Sequence, residues 1–367
     1  MVYSQLGVFL KYELHASEDK IALIDGLAEL LSNLARVLSG TISDFLHNRK
    51  FMLILGSAAI AFIRPFFAIC TSIPGLFVVL SADRIISGLI VSPRDALISD
   101  LSEKRTLNRA YGASKIAKTI GSFCGIFFAI FILNISTANY FLLYIIASIP
   151  AAISFLLATR ISESKQMQDN AEKRKFRISE IFYLNKKFWQ FICFVFLFEL
   201  AHFSDSLLTI RASNFCSVTE ATYTAIFISL GQIIFTYPIS HFADKFSWHK
   251  MLFACIIMAI ISNCLLLIAC HHYFVFLAAL FWGGQMSSIA ALSLSMISAN
   301  VNQSVKGTAI GIYYIAVGLG YFISGSIAGF LWKNLNCDFV FLYSIAICIL
   351  SASLYRKLCT YNKTRNS

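Results

Sequence analysis

The sequence predicts an all-α, polytopic membrane protein, and three observations lead to that prediction. Of its 367 residues, 58% are hydrophobic and only 13% are charged, which leaves too little polar surface to cover a soluble core. Apolar stretches of about twenty residues recur between short polar turns, and a helix of that length crosses the ~30 Å hydrocarbon core of a bilayer. A polar motif of the first half returns in the second half, which indicates internal duplication.

Eleven full apolar spans and one fragment can be recognised. They lie at about 20–44, 51–70, 74–98, 108–133, 138–160, 187–212, 219–243, 251–269, 273–299, 307–332 and 338–356. Residues 1–14 form the fragment, which reaches only about 21 Å at the rise of an α-helix and is too short to span. Two explanations stay open: translation starts upstream of Met1, or the protein works with a truncated first helix.

The polar segment 161–187 has the composition of a linker and divides the chain. We therefore predict an N-terminal helical bundle at 1–160, a central loop at 161–187, a C-terminal helical bundle at 188–356 and a tail at 357–367. Basic residues collect in alternate connectors, in the central loop and in the tail. The positive-inside rule then predicts that the central loop and the tail are cytoplasmic.

The net charge of +11 does not predict a nucleic-acid partner, because the basic residues lie in short connectors and form no amphipathic face. The ten cysteines are scattered without a Cys-x-x-Cys or paired spacing, so we expect neither a metal site nor a disulfide framework. The sequence has no phosphate-binding loop, which weighs against direct ATP drive. We expect no cofactor.

The duplicated motif ends an apolar helix in a carboxylate and leads into a basic hairpin. Its residues are Gly40, Asp44, Arg49 and Lys50 in the first half, and Ser240, Asp244 and Lys250 in the same register of the second half. These segments resemble the signature of the major facilitator superfamily. There, a small residue four positions before an aspartate lets two helices approach at the cytoplasmic surface, and basic residues anchor the hairpin. The resemblance implies a gating role for these residues.

The segment 83–98 resembles the fourth helix of a bacterial group within that superfamily. Asp83, Arg84, Gly88 and the run 93–98 match it, and the match places Arg94 and Asp95 in a conformational motif. The segment departs from the group at Ile86, Ser87 and Ile90, where two cations are missing, and Lys118 stands where an acidic residue is expected. These departures weigh against an anionic substrate shared with that group.

The resemblance implies two six-helix bundles that rock around a central site, as in secondary active transport of a small solute by alternating access. We expect coupling to protons, a monomer in the bacterial inner (plasma) membrane, and no enzymatic activity. Two alternatives remain at this stage. One is a polytopic membrane enzyme, and the other is a degenerate, non-transporting family member, for which the short first helix and the missing cations are the arguments.

Charged residues at membrane depth usually face the protein interior, a partner or water. In the second helix, Glu29, Asn33 and Arg36 follow at steps of three or four and share one face, which we expect to point inward. Glu29 and Arg36 either neutralise partners on neighbouring helices or contact substrate. Asp25 is expected near the outer end of this helix, in contact with solvent.

The span 187–212 is the seventh when the N-terminal fragment is counted as the first. In this span, Glu199, His202, Ser206 and Thr209 share an arc, with Asp205 at its edge. A carboxylate beside an imidazole near the middle of the membrane can exchange protons close to neutral pH. The alternative is a hydrogen-bonded pair that only packs this helix against its neighbours. For Asp205 we predict a structural or gating role.

Arg84 lies near the middle of the fourth helix and matches an arginine that proton antiporters of the superfamily use in coupling. Alternatively, Arg84 forms an ion pair with a purely structural role. Asp83 points about 100° away from Arg84 around the helix, so the two are not expected to pair. Arg64 is similar in kind, and Pro65 is expected to kink its span. Gln285 is a candidate cavity residue or a helix-packing residue.

Overall fold

A computed structural model of the protein describes residues 2–46, 49–101, 107–135, 139–161, 185–246, 248–301 and 306–364. Those residues form α-helices and short connectors, with no strand among them, so the all-α prediction is confirmed. The helices are α1 (Val2–Tyr12), α2 (Glu18–Leu46), α3 (Arg49–Ile63), α4 (Phe66–Ile69), α5 (Ile73–Leu101), α6 (Leu107–Ile135), α7 (Tyr140–Thr159), α8 (Lys186–Glu199), α9 (Asp205–Ala212), α10 (Val218–Ala221), α11 (Thr224–Phe246), α12 (Trp248–Leu267), α13 (His272–Asn300), α14 (Lys306–Asn334) and α15 (Cys337–Thr364).

Within the described residues, eight segments are long and apolar enough to cross a membrane, and each coincides with a predicted span. They begin at Lys50, Ile73, Tyr140, Val218, Lys250, His272, Thr308 and Cys337. The other predicted spans fall on α2, which carries charges along its length, on α6, whose apolar part is described from Ala117 to Leu133, and on the pair α8 and α9. The count of eleven spans and the truncated first helix therefore stay predictions.

The chain divides into two compact units. The first contains Met1–Gln5 and Leu27–Glu180, and the second contains Leu6–Gly26 and Ile181–Ser367. In the first unit, α3 packs against α5 and α7. In the second, α13 packs against α11 and α12, and α14 packs against α8. The bundle and loop boundaries proposed from the sequence stay predictions.

Glycines permit the closest helix contact of the second unit. A Cβ atom on Gly231 of α11 would overlap the carbonyl of Leu280, and one on Gly283 of α13 would overlap the carbonyl of Ile228. The two backbones therefore touch directly. Such contact between small residues is how membrane helices gain packing energy without a hydrophobic driving force.

The two signature motifs occupy equivalent places in the secondary structure. Asp44 lies two residues before the end of α2, and Asp244 lies two residues before the end of α11. Each aspartate is followed by the start of the next helix, α3 or α12. Lys50 and Arg94 are half-buried and Lys250 is exposed. The side-chain environments of Gly40, Asp44, Arg49, Asp95, Ser240 and Asp244 lie outside what the structure describes, so their gating role stays a prediction.

The predicted kink at Pro65 is present. Helix α3 ends at Ile63 and α4 begins at Phe66, with Arg64 and Pro65 in the turn between them. Proline has no N–H to continue the helical hydrogen bonds, and its ring crowds the preceding turn. The interruption places Arg64 where its side chain contacts Asp83 of α5.

Gly88 sets the distance between α5 and α2 in the first unit. A Cβ atom there would lie 2.5 Å from the carbonyl oxygen of Ser32 and 2.9 Å from the Cβ of Ala35. Gly121 of α6 has nothing within 4 Å of the equivalent position. The two glycines therefore form a matched pair, one at a helix contact and one in open space.

We predict that Gly88→Ala lowers the free energy of unfolding by about 1–3 kcal/mol, because α5 must move away from a backbone atom. Gly121→Ala is expected to be neutral or to stabilise by up to about 1 kcal/mol, since alanine favours the helix. Thermal and denaturant unfolding of both variants in detergent measures the difference. Equal stability of the two variants would contradict the close contact at Gly88.

Candidate functional site

A polar cluster in the first unit is centred on Glu29. One carboxylate oxygen of Glu29 lies 3.1 Å from a guanidinium nitrogen of Arg84, and the other lies 3.7 Å from Arg36. Asn33 donates to Glu29 from 3.3 Å, and Arg36 donates to the Asn33 side-chain oxygen from 3.2 Å. The polar face predicted for α2 therefore carries a connected network. The contact between Glu29 and Arg84 links this network to α5.

Asp83 is the second carboxylate of this cluster and is only 1% exposed. Its Oδ1 lies 3.6 Å from Nε of Arg64, and its Oδ2 accepts a hydrogen bond from the Tyr3 hydroxyl. The Tyr3 ring also covers Arg84, with its centroid 3.9 Å from the guanidinium carbon. Asp83 and Arg84 thus take different ion-pair partners, as their angular separation on α5 predicts. Tyr3 connects the two pairs by a hydrogen bond and a cation–π contact.

The seventh span is broken, and the expectation of one continuous helix over 187–212 is wrong. Helix α8 ends at Glu199 and α9 begins at Asp205. The Leu200 carbonyl accepts a hydrogen bond from the Ser324 hydroxyl and the Ala201 carbonyl accepts one from Ser344, each at 2.6 Å. Irregular backbone at membrane depth is tolerated where such groups satisfy it. The arc of Glu199, His202 and Ser206 therefore does not lie on one helix.

The break nevertheless leaves Glu199 and His202 together, because a turn joins the His202 N–H to the Glu199 carbonyl at 3.0 Å. The His202 Nδ1 lies 3.3 Å from a Glu199 carboxylate oxygen, and its Nε2 lies 2.9 Å from the side-chain oxygen of Gln285 on α13. His202 is 2% exposed and Gln285 is fully buried. The Gln285 amide nitrogen lies 2.6 Å from the same His202 Nε2, so this ring nitrogen donates to the amide oxygen or accepts from the amide N–H according to the tautomer of the imidazole.

Trp282 of α13 links His202 to Asp205. Its indole N–H donates to Oδ1 of Asp205 at 2.8 Å, and its ring meets the His202 ring edge-on at 5.3 Å between centroids. The indole is fully buried and its donor has a carboxylate partner, which is the usual requirement for a buried tryptophan. This contact agrees with a structural role for Asp205 at the start of α9.

Asp25 is not solvated in the way the sequence analysis expected. Its Oδ2 accepts hydrogen bonds from the hydroxyls of Ser204 and Ser206, the latter at 2.6 Å. Ser204 is also the N-cap of α9, accepting from the Ser206 N–H at 3.1 Å. A carboxylate at the N-terminal end of a helix is favoured by the helix dipole. Asp25 therefore fixes the end of the break that faces α9.

Sequence reasoning missed Tyr3 and Trp282. Tyr3 lies in the fragment that was treated only as a short span, and Trp282 was counted as part of an apolar helix. The available signal was chemical: a phenol or indole inside a membrane span needs a hydrogen-bond partner. Within the described part of the chain, no three His, Cys, Asp or Glu side chains are grouped as a metal site requires.

A family model described as "Major Facilitator Superfamily" matches residues 1–212 and 206–365 of the chain. The chain belongs to the Major Facilitator Superfamily. An uncharacterised MFS-type transporter of Methanocaldococcus jannaschii is 26% identical over 343 residues, which cover 91% of this chain and 84% of the relative. The chain is thus a multi-pass membrane protein of a transporter superfamily, while the narrower group suggested by residues 83–98 stays a prediction.

Solved structures of superfamily members share the fold. The nucleoside transporter NupG matches with a TM-score of 0.77 at 15% identity, covering 97% of this chain and 94% of NupG. A D-xylose-proton symporter matches with a TM-score of 0.76 at 15% identity, covering 96% and 92% of the two chains. At these identities the likeness concerns the superfamily fold alone.

The two serines at the break are expected to stabilise the protein. We predict that Ser324→Ala and Ser344→Ala each lower the free energy of unfolding by about 0.5–2 kcal/mol, because each leaves a backbone carbonyl without its donor. Ser326→Ala is the control, since the Ser326 hydroxyl donates to Phe322 of its own helix at 2.9 Å. Unfolding in detergent compares the three variants. A loss for Ser326→Ala as large as for Ser324→Ala would contradict the role given to the break.

Proposed function

We propose that this protein is a secondary active transporter that moves a small solute by alternating access and couples its movement to protons. One observation carries the coupling part of the proposal: a buried imidazole, His202, lies between the Glu199 carboxylate and the Gln285 amide. A histidine is the side chain whose charge changes most readily near neutral pH, and burial beside a carboxylate makes its charge matter to the protein. The family membership supports the transport part.

The residues divide into two roles within this proposal. Glu199 and His202 take up and release the proton, and Asp205 holds the helix start beside them through Trp282. Arg84, Glu29, Arg36 and Arg64 form the charged network that responds to substrate. In each role the charges are partnered in the conformation described, so a change in protonation or ligand must rearrange contacts.

We also propose that the protein acts as a monomer in the bacterial inner membrane, with the central loop and the C-terminus in the cytoplasm. The charge distribution of the connectors supports this orientation. Reporter fusions test it: a fluorescent protein fused after Ser367 should be fluorescent, and alkaline phosphatase at the same place should be inactive. Active phosphatase would contradict the proposed orientation, because it would place the C-terminus on the opposite side of the membrane.

Proton coupling is tested in proteoliposomes that contain a pH-sensitive dye. Nucleosides, sugars, amino acids, organic acids and cationic drugs are added in turn, and the solute that changes the internal pH becomes the substrate for the variants. We predict that Arg84→Ala and Glu199→Gln each reduce solute-driven proton movement at least about tenfold, because each removes a charged group that transport must rearrange.

Glu13→Gln is the matched control, since it makes the same chemical change at an exposed carboxylate. It should transport like the unchanged protein, and all variants should elute alike on size-exclusion chromatography. Solute uptake without any proton movement would remove the coupling proposal and keep the transporter. Conversion of an added compound without vectorial movement would favour a membrane enzyme.

A further inference from the structure

Two aromatic neighbours hold the His202 ring in the second unit. Its centroid lies 4.8 Å from that of Phe198 on α8 and 5.3 Å from that of Trp282 on α13, and the ring planes meet at 75° and 71°. The imidazole is only 2% exposed. Because a half-turn of the ring would displace these packed neighbours, its two nitrogens keep their directions. Nδ1 faces Glu199 and Nε2 faces Gln285.

The two ring nitrogens have partners of different chemistry. The ionised carboxylate of Glu199 can only accept hydrogen bonds. A singly protonated His202 therefore keeps its proton on Nδ1, 3.3 Å from that carboxylate, and its Nε2 is an acceptor. A doubly protonated ring also carries a proton on Nε2, which then becomes a donor. A partner that satisfies Nε2 in both charge states must be able both to donate and to accept.

The side-chain amide of Gln285 is such a partner. Its oxygen lies 2.9 Å and its nitrogen 2.6 Å from the same His202 Nε2, so both ends of the amide are within hydrogen-bond distance. The last torsion of a glutamine side chain has a broad, roughly two-fold profile, and rotation about it presents either end. A backbone carbonyl in this place could only accept, and it would leave the neutral ring without a donor.

The backbone of α13 is tightly packed next to Gln285. A Cβ atom on Gly283 would lie 2.0 Å from a backbone carbonyl oxygen of α11, and one on Gly284 would lie 2.5 Å from the Phe235 ring of the same helix. Such close contact leaves the helix little space to shift when the charge of His202 changes. The response to that charge therefore falls on the amide torsion.

We propose that Gln285 is the positioning residue of the coupling site: its amide rotates with the charge of His202, donating to the neutral ring and accepting from the imidazolium. This inference rests on the proposed proton coupling and adds the group that keeps the ring hydrogen-bonded in both states. A buried donor or acceptor without a partner is costly, so a partner of fixed polarity would strongly favour one charge state. With Gln285, the ring gains and loses its proton without that cost.

Two carboxylates face the ring from the elements packed around it. Glu199 of α8 lies beside Nδ1, and Asp205 of α9 accepts from the N–H of Trp282, whose ring contacts the imidazole. Helix α13 contributes the uncharged Trp282 and Gln285, and α14 and α15 meet the break through serine hydroxyls. Ionised carboxylates cannot donate, so the donor for Nε2 of the neutral ring comes from Gln285.

The test uses the purified full-length protein in lipid bilayers, with ¹⁵N-labelled histidine and glutamine. Solid-state NMR distinguishes ring nitrogens that carry a proton from those that do not. Through-space transfer between ring and amide nitrogens identifies His202 and Gln285 as a pair. Over about pH 5–9, we expect Nδ1 to keep its proton while Nε2 gains one as the pH falls. The Gln285 amide signal should change with the same pH midpoint.

Gln285→Met keeps the length of the side chain and removes both the donor and the acceptor. We expect His202 to bind its proton about tenfold more weakly in this variant, because the hydrogen bond to the charged ring is the stronger of the two that are lost. Gln190→Met is the matched control, since it makes the same change on α8, nine residues before Glu199. It should leave the signals of His202 unchanged.

The inference is overturned if the Gln285 amide signal stays constant while the ring titrates, or if Nδ1 loses its proton before Nε2. It is also overturned if Gln285→Met and Gln190→Met leave His202 with the same proton affinity. The first measurement uses the unchanged protein, so it can contradict the inference even if Gln285→Met does not fold. A constant amide beside a titrating ring leaves proton coupling in place, whereas a ring that never titrates contradicts both proposals.

Discussion

The ion pair between Glu29 and Arg84 is the interaction on which the first unit depends. A charge inside a bilayer needs a partner, and this pair ties the polar face of α2 to α5 at 3.1 Å. Three other features make the pair possible: Gly88 brings the two helices close, Asn33 orients the carboxylate, and the Tyr3 ring covers the guanidinium. The pair is therefore a structural link between α2 and α5.

In the second unit, the main feature is an interruption between two helices, α8 and α9. The break between Glu199 and Asp205 frees backbone carbonyls, and serine hydroxyls from α14 and α15 satisfy two of them. Because of the break, the His202 side chain contacts Gln285 on α13 and also stays beside Glu199. A regular helix would place these side chains by its own periodicity alone. The interruption and the buried imidazole are thus parts of one arrangement.

Local patterns in the sequence predicted the features that depend on neighbouring residues along the chain. The three-to-four spacing of Glu29, Asn33 and Arg36, the interruption at Pro65 and the place of both signature aspartates follow from helix geometry and from proline chemistry. The pairing of Glu199 with His202 could also be predicted from the sequence, because the two residues are three positions apart.

Features that depend on distant residues could not be predicted in this way. The break in the seventh span is stabilised by Ser324 and Ser344, which lie more than a hundred residues further along the chain. The environment of Asp25 depends in the same way on the hydroxyls of Ser204 and Ser206, 179 and 181 residues away. Nothing in the local sequence around Leu200 marks a helix end, because the residues that permit it belong to other helices.

The contact between Trp282 and His202 has a spectroscopic consequence. An imidazolium ring quenches the fluorescence of a neighbouring indole far more than a neutral imidazole does. Trp282 is fully buried, its N–H is occupied by Asp205, and its ring meets that of His202 at 5.3 Å between centroids. A change in the charge of this histidine would therefore change the emission of Trp282, which is one of the four tryptophans of the chain.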